Sequence, residues 1–139
     1  MIHRNKKELE GVQWGNGSSF RLLTEKDGMG FTVCHTVVEA GSESRLQYRR
    51  HLEACYCISG KGQVISADGS TIYDIEPGAI YALDENDPHI LIADESDDLH
   101  LVSVFNPPLT GQEKHQLSAD GFSPVSYTHL RAHETHETL

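Results

Sequence analysis

The sequence predicts an all-β domain, and a jelly-roll β-barrel is the architecture that fits it best. Short runs of β-branched and aromatic residues recur at close intervals between residues 20 and 106, and almost nothing along the chain keeps a helical period. The segments between these runs contain Gly, Pro, Asn or Asp, as tight turns require. About nine short strands at this spacing are typical of a β-sandwich or a β-barrel.

The first four strands are predicted from runs that end at turn sequences. "FRLLT" at 20–24 ends before "DGMG", and "FTVCHTVVE" at 31–39 ends before "EAGSE". "SRLQYRR" at 44–50 and "EACYCIS" at 53–59 follow, and "GKG" closes the second of them. The residue types favour a pleated, half-buried surface, and the glycines allow the chain to reverse direction.

Five further strands follow, with the turn sequences "DG", "PG", "ENDP" and "ESDD" between them. Their runs are "GQVISA" at 62–67, "STIYDIE" at 70–76, "AIYALD" at 79–84, "HILIADE" at 89–95 and "LHLVSVFN" at 99–106. Each run is short and rich in Ile, Val, Leu or Tyr, as strands of a β-barrel are.

The pattern changes after the last of these strands. The tandem residues Pro107 and Pro108 end the strand, because proline has no N–H to donate to a strand ladder. The following "QEKHQLSADGFSP" is polar, and it predicts one short helical turn and then coil.

The last stretch, "VSYTHLRAHETHETL", is rich in histidine. It contains His129, His133 and His136, and a helix would place His129 and His133 on one face, where they could bind a metal. The simpler interpretation is a frayed or foreign tail. We therefore predict one domain over residues 1–124 and a disordered or foreign His-rich tail over 125–139.

Length, charge and cysteine content narrow the class of protein. A chain of 139 residues suffices for one domain whose core needs no disulfides. Its 21 acidic and 11 basic side chains give a net charge of -10, which repels phosphate backbones and anionic membranes. Three cysteines, an odd number, suit reduced thiols, and no run approaches the roughly 18 apolar residues of a membrane span. We expect a cytoplasmic protein that binds neither nucleic acid nor membranes.

One acidic residue, Glu53, begins the run "EACYCIS", which otherwise has the composition of a buried strand. A carboxylate at that place needs a partner that offsets the cost of removing it from water. Further along, "IEPGAIYALDENDPHIL" contains the turn Pro77-Gly78, then Tyr81, and then His89. Taken singly, these residues are more often a rim carboxylate, a strand aromatic and a turn histidine than a functional site.

Together, the two stretches resemble the two motifs of the cupin superfamily, in which two histidines and a glutamate bind a metal inside a small β-barrel. In the first motif Glu53 and Gly60 are present, but Gln47 and Arg49 stand where a typical cupin has its histidines. In the second motif His89 stands at the ligand position. The resemblance implies a cupin-type jelly-roll β-barrel, followed by a short helical or coil C-terminal segment.

In more detail, the chain resembles the ectoine synthase family of cupins. The matching stretches are "DGMGF", "HLEACYCISGKG", "IEPGAIYALDENDPH" and "VFNPPLTGQEKH". In that family a Glu, a Tyr and a His hold iron, and by motif position they correspond to Glu53, Tyr81 and His89. Two hard oxygen donors and one imidazole suit Fe(II) and leave coordination positions open, and Zn or Mn could substitute for it.

The resemblance also implies an activity, the cyclisation of N4-acetyl-L-2,4-diaminobutyrate to ectoine with loss of water, by a homodimer, for osmoprotection. The α-amine must lose a proton as it attacks, and the carbonyl oxygen must be protonated to leave. The implied catalytic residues are Tyr48, Glu113 and His115. The implied substrate-binding residues are Thr36, Tyr48, Ser103, Phe105, Glu113 and His115.

The chain departs from the family pattern at three positions that bear on the pocket. Gly17 stands in place of a tryptophan, Phe20 in place of an arginine and Ser103 in place of a cysteine. Trp14, near Gly17, could compensate after a local shift. Two other hypotheses therefore stay open: an ectoine-synthase-like cupin that acts on a related amide or amino acid, and a non-catalytic cupin that binds a small ligand.

Overall fold

The computed structural model describes residues 1–111 and, beyond them, the backbone of residues 114–115 and 123–126. These residues contain twelve strands and two short 3-10 turns, Lys6–Glu8 and Glu25–Asp27. The strands are β1 (Val12–Gln13), β2 (Gly17–Leu23), β3 (Thr32–Val38), β4 (Glu43–Gln47), β5 (Leu52–Ser59), β6 (Gly62–Ser66), β7 (Ile72–Ile75), β8 (Ile80–Leu83), β9 (His89–Ala93), β10 (Leu99–Asn106), β11 (Lys114–His115) and β12 (Ser123–Ser126). All nine predicted strands are confirmed, as β2 to β10. None of the helical turns described is long and apolar enough to span a membrane.

The strands form two six-stranded sheets. The first sheet has the order β1-β2-β3-β10-β5-β8, and the second has the order β11-β12-β4-β9-β6-β7. Among the described strands, every pairing is antiparallel except that of β12 with β4. The predicted all-β jelly-roll barrel is confirmed, and the space between the two sheets holds the core.

Alternate residues of the strands point into that core. On β10, Leu99, Leu101, Ser103 and Phe105 are buried, whereas the residues between them are more exposed. The larger cluster of buried side chains consists of Trp14, Val38, Leu46, Cys55, Cys57, Val64, Ile75, Leu91, Ala93, Leu99 and Leu101. Its members come from both sheets, and each buried leucine contributes about 1.5–3 kcal/mol, so their burial holds the sheets together.

The loop after β10 is fixed against one end of the barrel. Leu109 is fully buried, and its N–H donates to Thr32 Oγ1 at 2.7 Å. Leu109 packs with Cys34, Tyr48 and Phe105 in a second, smaller buried cluster. The loop therefore holds the two aromatic rings in place at the end of the barrel.

The polar segment after Pro108 differs from the helical turn and coil that the sequence predicts. Its described backbone forms β11 and β12, which pair with each other, and β12 also pairs with β4. Strands of two and four residues are too short to show a period, and their pairing depends on an edge strand that is distant in sequence. The predicted tail at 125–139 lies outside the described residues except for the backbone of residues 125 and 126, and it stays a prediction.

Candidate metal and substrate site

A cavity of about 40 Å³ lies between the two sheets. It is lined by all seven predicted site residues whose side chains the structure describes: Thr36, Tyr48, Glu53, Tyr81, His89, Ser103 and Phe105. Of the other two, Glu113 lies outside the described residues, and His115 is described only by its backbone in β11. The fold thus brings together side chains that are far apart along the chain.

The three candidate metal ligands lie on three strands. Glu53 is on β5, and Tyr81 is on the adjacent strand β8, where it pairs with Cys55. His89 begins β9 in the second sheet, and its ring centroid is 6.4 Å from that of Tyr81. Two oxygen donors from one sheet and one nitrogen donor from the other therefore face the same cavity.

Burial controls the ionisation of Glu53. Removal from water raises the pKa of its carboxyl group from 4.5 to about 7, and a hydrogen bond from Cys55 Sγ to Oε2, 3.3 Å long, opposes part of that rise. Among the described residues, no cationic side chain contributes to the shift in the pKa of Glu53. A carboxylate in this environment is costly unless a cation balances it, and a metal ion would do so.

His89 is oriented as metal-binding histidines usually are. It is buried, and its Nδ1 lies 2.9 Å from the backbone carbonyl oxygen of Asp87. A carbonyl oxygen can only accept a hydrogen bond, so Nδ1 carries the proton and Nε2 keeps its lone pair. Burial also lowers the pKa of His89, which favours the neutral ring that a metal needs.

Tyr81 supplies the third donor. Burial raises the pKa of its hydroxyl well above the ordinary value, and nearby Cys55 and Glu53 add to the rise, so the hydroxyl stays protonated until a cation stabilises the phenolate. In the described part of the chain, no group of three or more His, Cys, Asp and Glu side chains could hold a metal ion. A site here therefore depends on the tyrosine oxygen. With Glu53 and His89 it makes a donor set that fits Fe(II) or a similar divalent ion.

Hydroxyl and aromatic groups form other parts of the cavity wall. Thr36 Oγ1 and Ser103 Oγ lie 2.9 Å apart, close enough for a hydrogen bond. The rings of Tyr48 and Phe105 pack with their centroids 4.8 Å apart, and both residues are buried. An apolar wall with a few well-placed polar groups is typical of small-molecule sites.

Sequence reasoning missed three residues with hydrogen-bonding side chains that line the cavity: Ser19, Arg21 and Cys55. Arg21 Nε donates to Ser19 Oγ at 2.8 Å, so both side chains leave β2 on the same face. Phe20 occupies the position of an arginine in the family motif. Its side chain lies on the opposite face of β2, and Lys6 Nζ is 4.6 Å from its ring centroid. The alternation of side chains along β2 is the signal that could have identified Arg21 instead.

Gly17 is required for steric reasons. A Cβ atom at this position would lie 1.9 Å from the carbonyl oxygen of Val37 and 3.0 Å from Trp14 Cζ2. No larger side chain fits here, a tryptophan included, and the Trp14 ring lies beside Gly17 and lines the cavity. This arrangement agrees with the local shift that the sequence suggests.

Known proteins share this sequence over most of its length. A sequence profile described as "Ectoine synthase" matches residues 1–126. The L-ectoine synthase of Desulfatibacillum aliphaticivorans is 50% identical over 111 residues, which are 80% of this chain and 82% of that protein. The L-ectoine synthase of Halalkalibacterium halodurans is 46% identical over 110 residues, 79% of this chain and 81% of that protein.

Solved structures share the fold. The crystal structure of ectoine synthase from P. lautus matches with a TM-score of 0.74 and 41% identity, and the match covers 80% of this chain and 81% of that one. A polyketide cyclase from Streptomyces resistomycificus matches with a TM-score of 0.67 over 94% of this chain and 87% of that one, and at 13% identity this shows the fold alone. From the profile, the identities and the cupin fold together it follows that this chain belongs to the ectoine synthase family.

Proposed function

We propose that this protein is a hydro-lyase that cyclises N4-acetyl-L-2,4-diaminobutyrate to ectoine with loss of one water molecule, for osmoprotection. Family membership supports this class of reaction, since relatives at 40% to 50% identity are named L-ectoine synthase. The observation that supports the site is the single cavity that Glu53, Tyr81 and His89 share with the predicted substrate residues. We place the protein in the cytoplasm, where its three buried cysteines would stay free thiols.

We assign Glu53, Tyr81 and His89 to an Fe(II) ion, which Zn or Mn could replace. Three protein donors leave coordination positions for other ligands. When bound, such an ion supplies Lewis acidity that stabilises negative charge on the amide carbonyl oxygen. Two features of the chain favour binding of the ion. The hydrogen bond at His89 Nδ1 leaves the Nε2 lone pair available. The Glu53 carboxyl group is buried, and no cationic side chain is among the described groups that shift its pKa.

Other residues bind the substrate and transfer protons in this proposal. Tyr48, Glu113 and His115 take the proton from the attacking amine and protonate the departing oxygen. The Tyr48 side chain lines the cavity, whereas the side chains of the other two lie outside the described residues. Thr36 orients the substrate by a hydrogen bond, and Phe105 excludes water from the reacting atoms.

Substrate binding requires the cavity to widen. Its volume of about 40 Å³ is well below the roughly 300–1,000 Å³ of typical small-molecule pockets. The proposed substrate is several times larger than water, so side chains of the cavity wall have to change rotamer as it enters. Binding is therefore coupled to rearrangement of the wall, which favours a closed, dry site around the reacting atoms.

Incubation of the iron-loaded protein with N4-acetyl-L-2,4-diaminobutyrate is expected to give a product lighter by one water molecule, detected by mass spectrometry. Glu76→Ala is the matched control, because it removes an exposed glutamate that does not line the cavity, and it should convert the substrate at the same rate. Turnover of a related amide or amino acid alone would contradict the proposal. So would binding of the substrate without any turnover.

We also propose that two copies of this chain associate through the outer face of the first sheet. Tyr56 and Ile58 on β5 are each 45% exposed, and Ile80 on the neighbouring strand β8 is 66% exposed. Val104, on the strand at the other side of β5, extends the same face. Contiguous exposed apolar surface marks interfaces, and β8 also presents a free sheet edge within the described strands.

Ile58→Lys is expected to convert a dimer into a monomer, because it places a charge on this apolar face. Ile72→Lys is the matched control, since Ile72 is 56% exposed on β7 in the second sheet. Sedimentation velocity measures both: the first variant should have half the mass of the second. A monomeric wild-type protein, or a dimeric Ile58→Lys variant, would contradict this interface.

A further inference from the structure

Four side chains form a row along the cavity wall from Thr36 to Glu53. Thr36 Oγ1 lies 2.9 Å from Ser103 Oγ, which lies 3.6 Å from Cys55 Sγ. Cys55 Sγ in turn lies 3.3 Å from Glu53 Oε2. Strand pairing produces the row, because Ser103 on β10 is the register partner of Cys55 on β5. Cys55 is 1% exposed and Ser103 is fully buried, so water does not compete for these contacts.

When Glu53 is ionised, only one assignment of hydrogen-bond donors and acceptors along the row is possible. A carboxylate that binds a metal has no proton to donate, so the Cys55 thiol donates to Oε2. The thiol has only one proton, so the Ser103 hydroxyl is the donor in its contact with Cys55 Sγ. Ser103 then has no proton left for Thr36, and the Thr36 hydroxyl donates to Ser103 Oγ.

We propose that Cys55 is a positioning residue that acts on both the metal site and the ligand, and the proposal rests on the metal site proposed above. Its thiol holds the Glu53 carboxylate in the orientation that faces the ion. By setting the direction of the row, it also leaves the Thr36 oxygen as an acceptor toward the cavity. Thr36 therefore selects an ammonium or amide N–H of the ligand over a carbonyl or carboxylate oxygen.

The surroundings of Cys55 support this role. Its thiol also interacts with the Tyr81 hydroxyl, so it contacts two of the three candidate ligands. Cys57 provides a matched control, because it is buried on the same strand but does not line the cavity. Its Sγ lies 3.5 Å from the carbonyl oxygen of Ser59 instead.

The first test measures anaerobic Fe(II) binding to chelator-treated protein by titration calorimetry. Cys55→Val is expected to weaken Fe(II) binding by about tenfold, the lower end of what partners of metal ligands contribute. Cys55→Ser keeps a donor and should stay close to the wild type, and Cys57→Val should equal it. Thermal unfolding of the metal-free variants verifies that they fold, and Cys55→Ala replaces Cys55→Val if the branched side chain does not fit.

The second test concerns the direction of the row. Ser103→Ala separates Thr36 from Cys55 but leaves the contact between Cys55 and Glu53, so Fe(II) affinity should not change. KM should rise by about fivefold, the equivalent of one hydrogen bond, with a smaller change in kcat. In a Thr36→Val background the same substitution should leave KM unchanged.

The outcomes separate this inference from the proposed metal site. Equal Fe(II) affinities of Cys55→Val and Cys57→Val, together with loss of iron in Glu53→Ala, would overturn the role of Cys55 alone. Tight iron binding by Glu53→Ala would overturn the metal site and the role of Cys55 with it. Additive effects of Thr36→Val and Ser103→Ala on KM would overturn the directed row.

Discussion

Glu53→Ala is expected to lose bound iron and to lower kcat/KM for the cyclisation by about 10³-fold or more, while the domain stays folded. Lewis-acid stabilisation of charge contributes several kcal/mol to a transition state, and each ~1.4 kcal/mol is a factor of ten in rate. The fold survives because the substitution removes a carboxyl group whose burial is unfavourable without a cation. The loss should therefore appear in metal content and rate, but not in the circular dichroism spectrum.

Iron per chain is measured by elemental analysis of protein prepared without chelator, and kcat/KM by product formation. Glu76→Ala again serves as the control, since it removes the same carboxyl group from an exposed position. A Glu53→Ala variant that still carries one tightly held iron per chain would contradict the ligand assignment. A variant that loses iron but keeps its rate would contradict the role of the metal in the reaction.

The metal-free protein is expected to become less stable as the pH rises from about 4.5 to about 7, the unfolded and folded pKa values of Glu53. Between them the folded state retains a proton that the unfolded state releases, so each increase in pH favours unfolding. The penalty is absent below the lower value and complete above the upper one. At about 1.36 kcal/mol per pKa unit it amounts to roughly 3 kcal/mol in the free energy of unfolding.

Urea denaturation of metal-free wild-type and Glu53→Gln proteins between pH 4.5 and pH 8 measures this effect. The difference between their unfolding free energies isolates Glu53, because His89 and the other groups titrate in both proteins. Glu76→Gln should follow the wild type across the whole range. A difference that does not vary with pH would mean that the Glu53 carboxyl group is not desolvated in the folded chain.

Most of the fold could be predicted because its strands carry local evidence. β5 and β10 combine β-branched, aromatic and cysteine residues with turn residues at their ends, and both lie where expected. β1, β11 and β12 could not be predicted, since short strands form only when another strand supplies an edge.

The site was predictable to the extent that its residues lie in motifs. Glu53, Tyr81 and His89 follow from the two cupin-like stretches, and the structure places all three in one cavity. The contact between Thr36 and Ser103 could not be predicted, because it depends on the register of two strands that are far apart in the sequence. The role of Cys55 could not be predicted for the same reason, because its neighbours Ser103 and Tyr81 lie on β10 and β8.

The candidate ligands come from both sheets, Glu53 and Tyr81 from the first and His89 from the second. A cation held by all three would brace the barrel, because the sheets could not separate there without breaking a coordination bond. An ion that binds only the folded state stabilises it by about 2.7 kcal/mol at a hundredfold excess over its Kd. The iron supply of a cell would then set how much of the protein escapes unfolding and proteolysis, as well as how much of it is active.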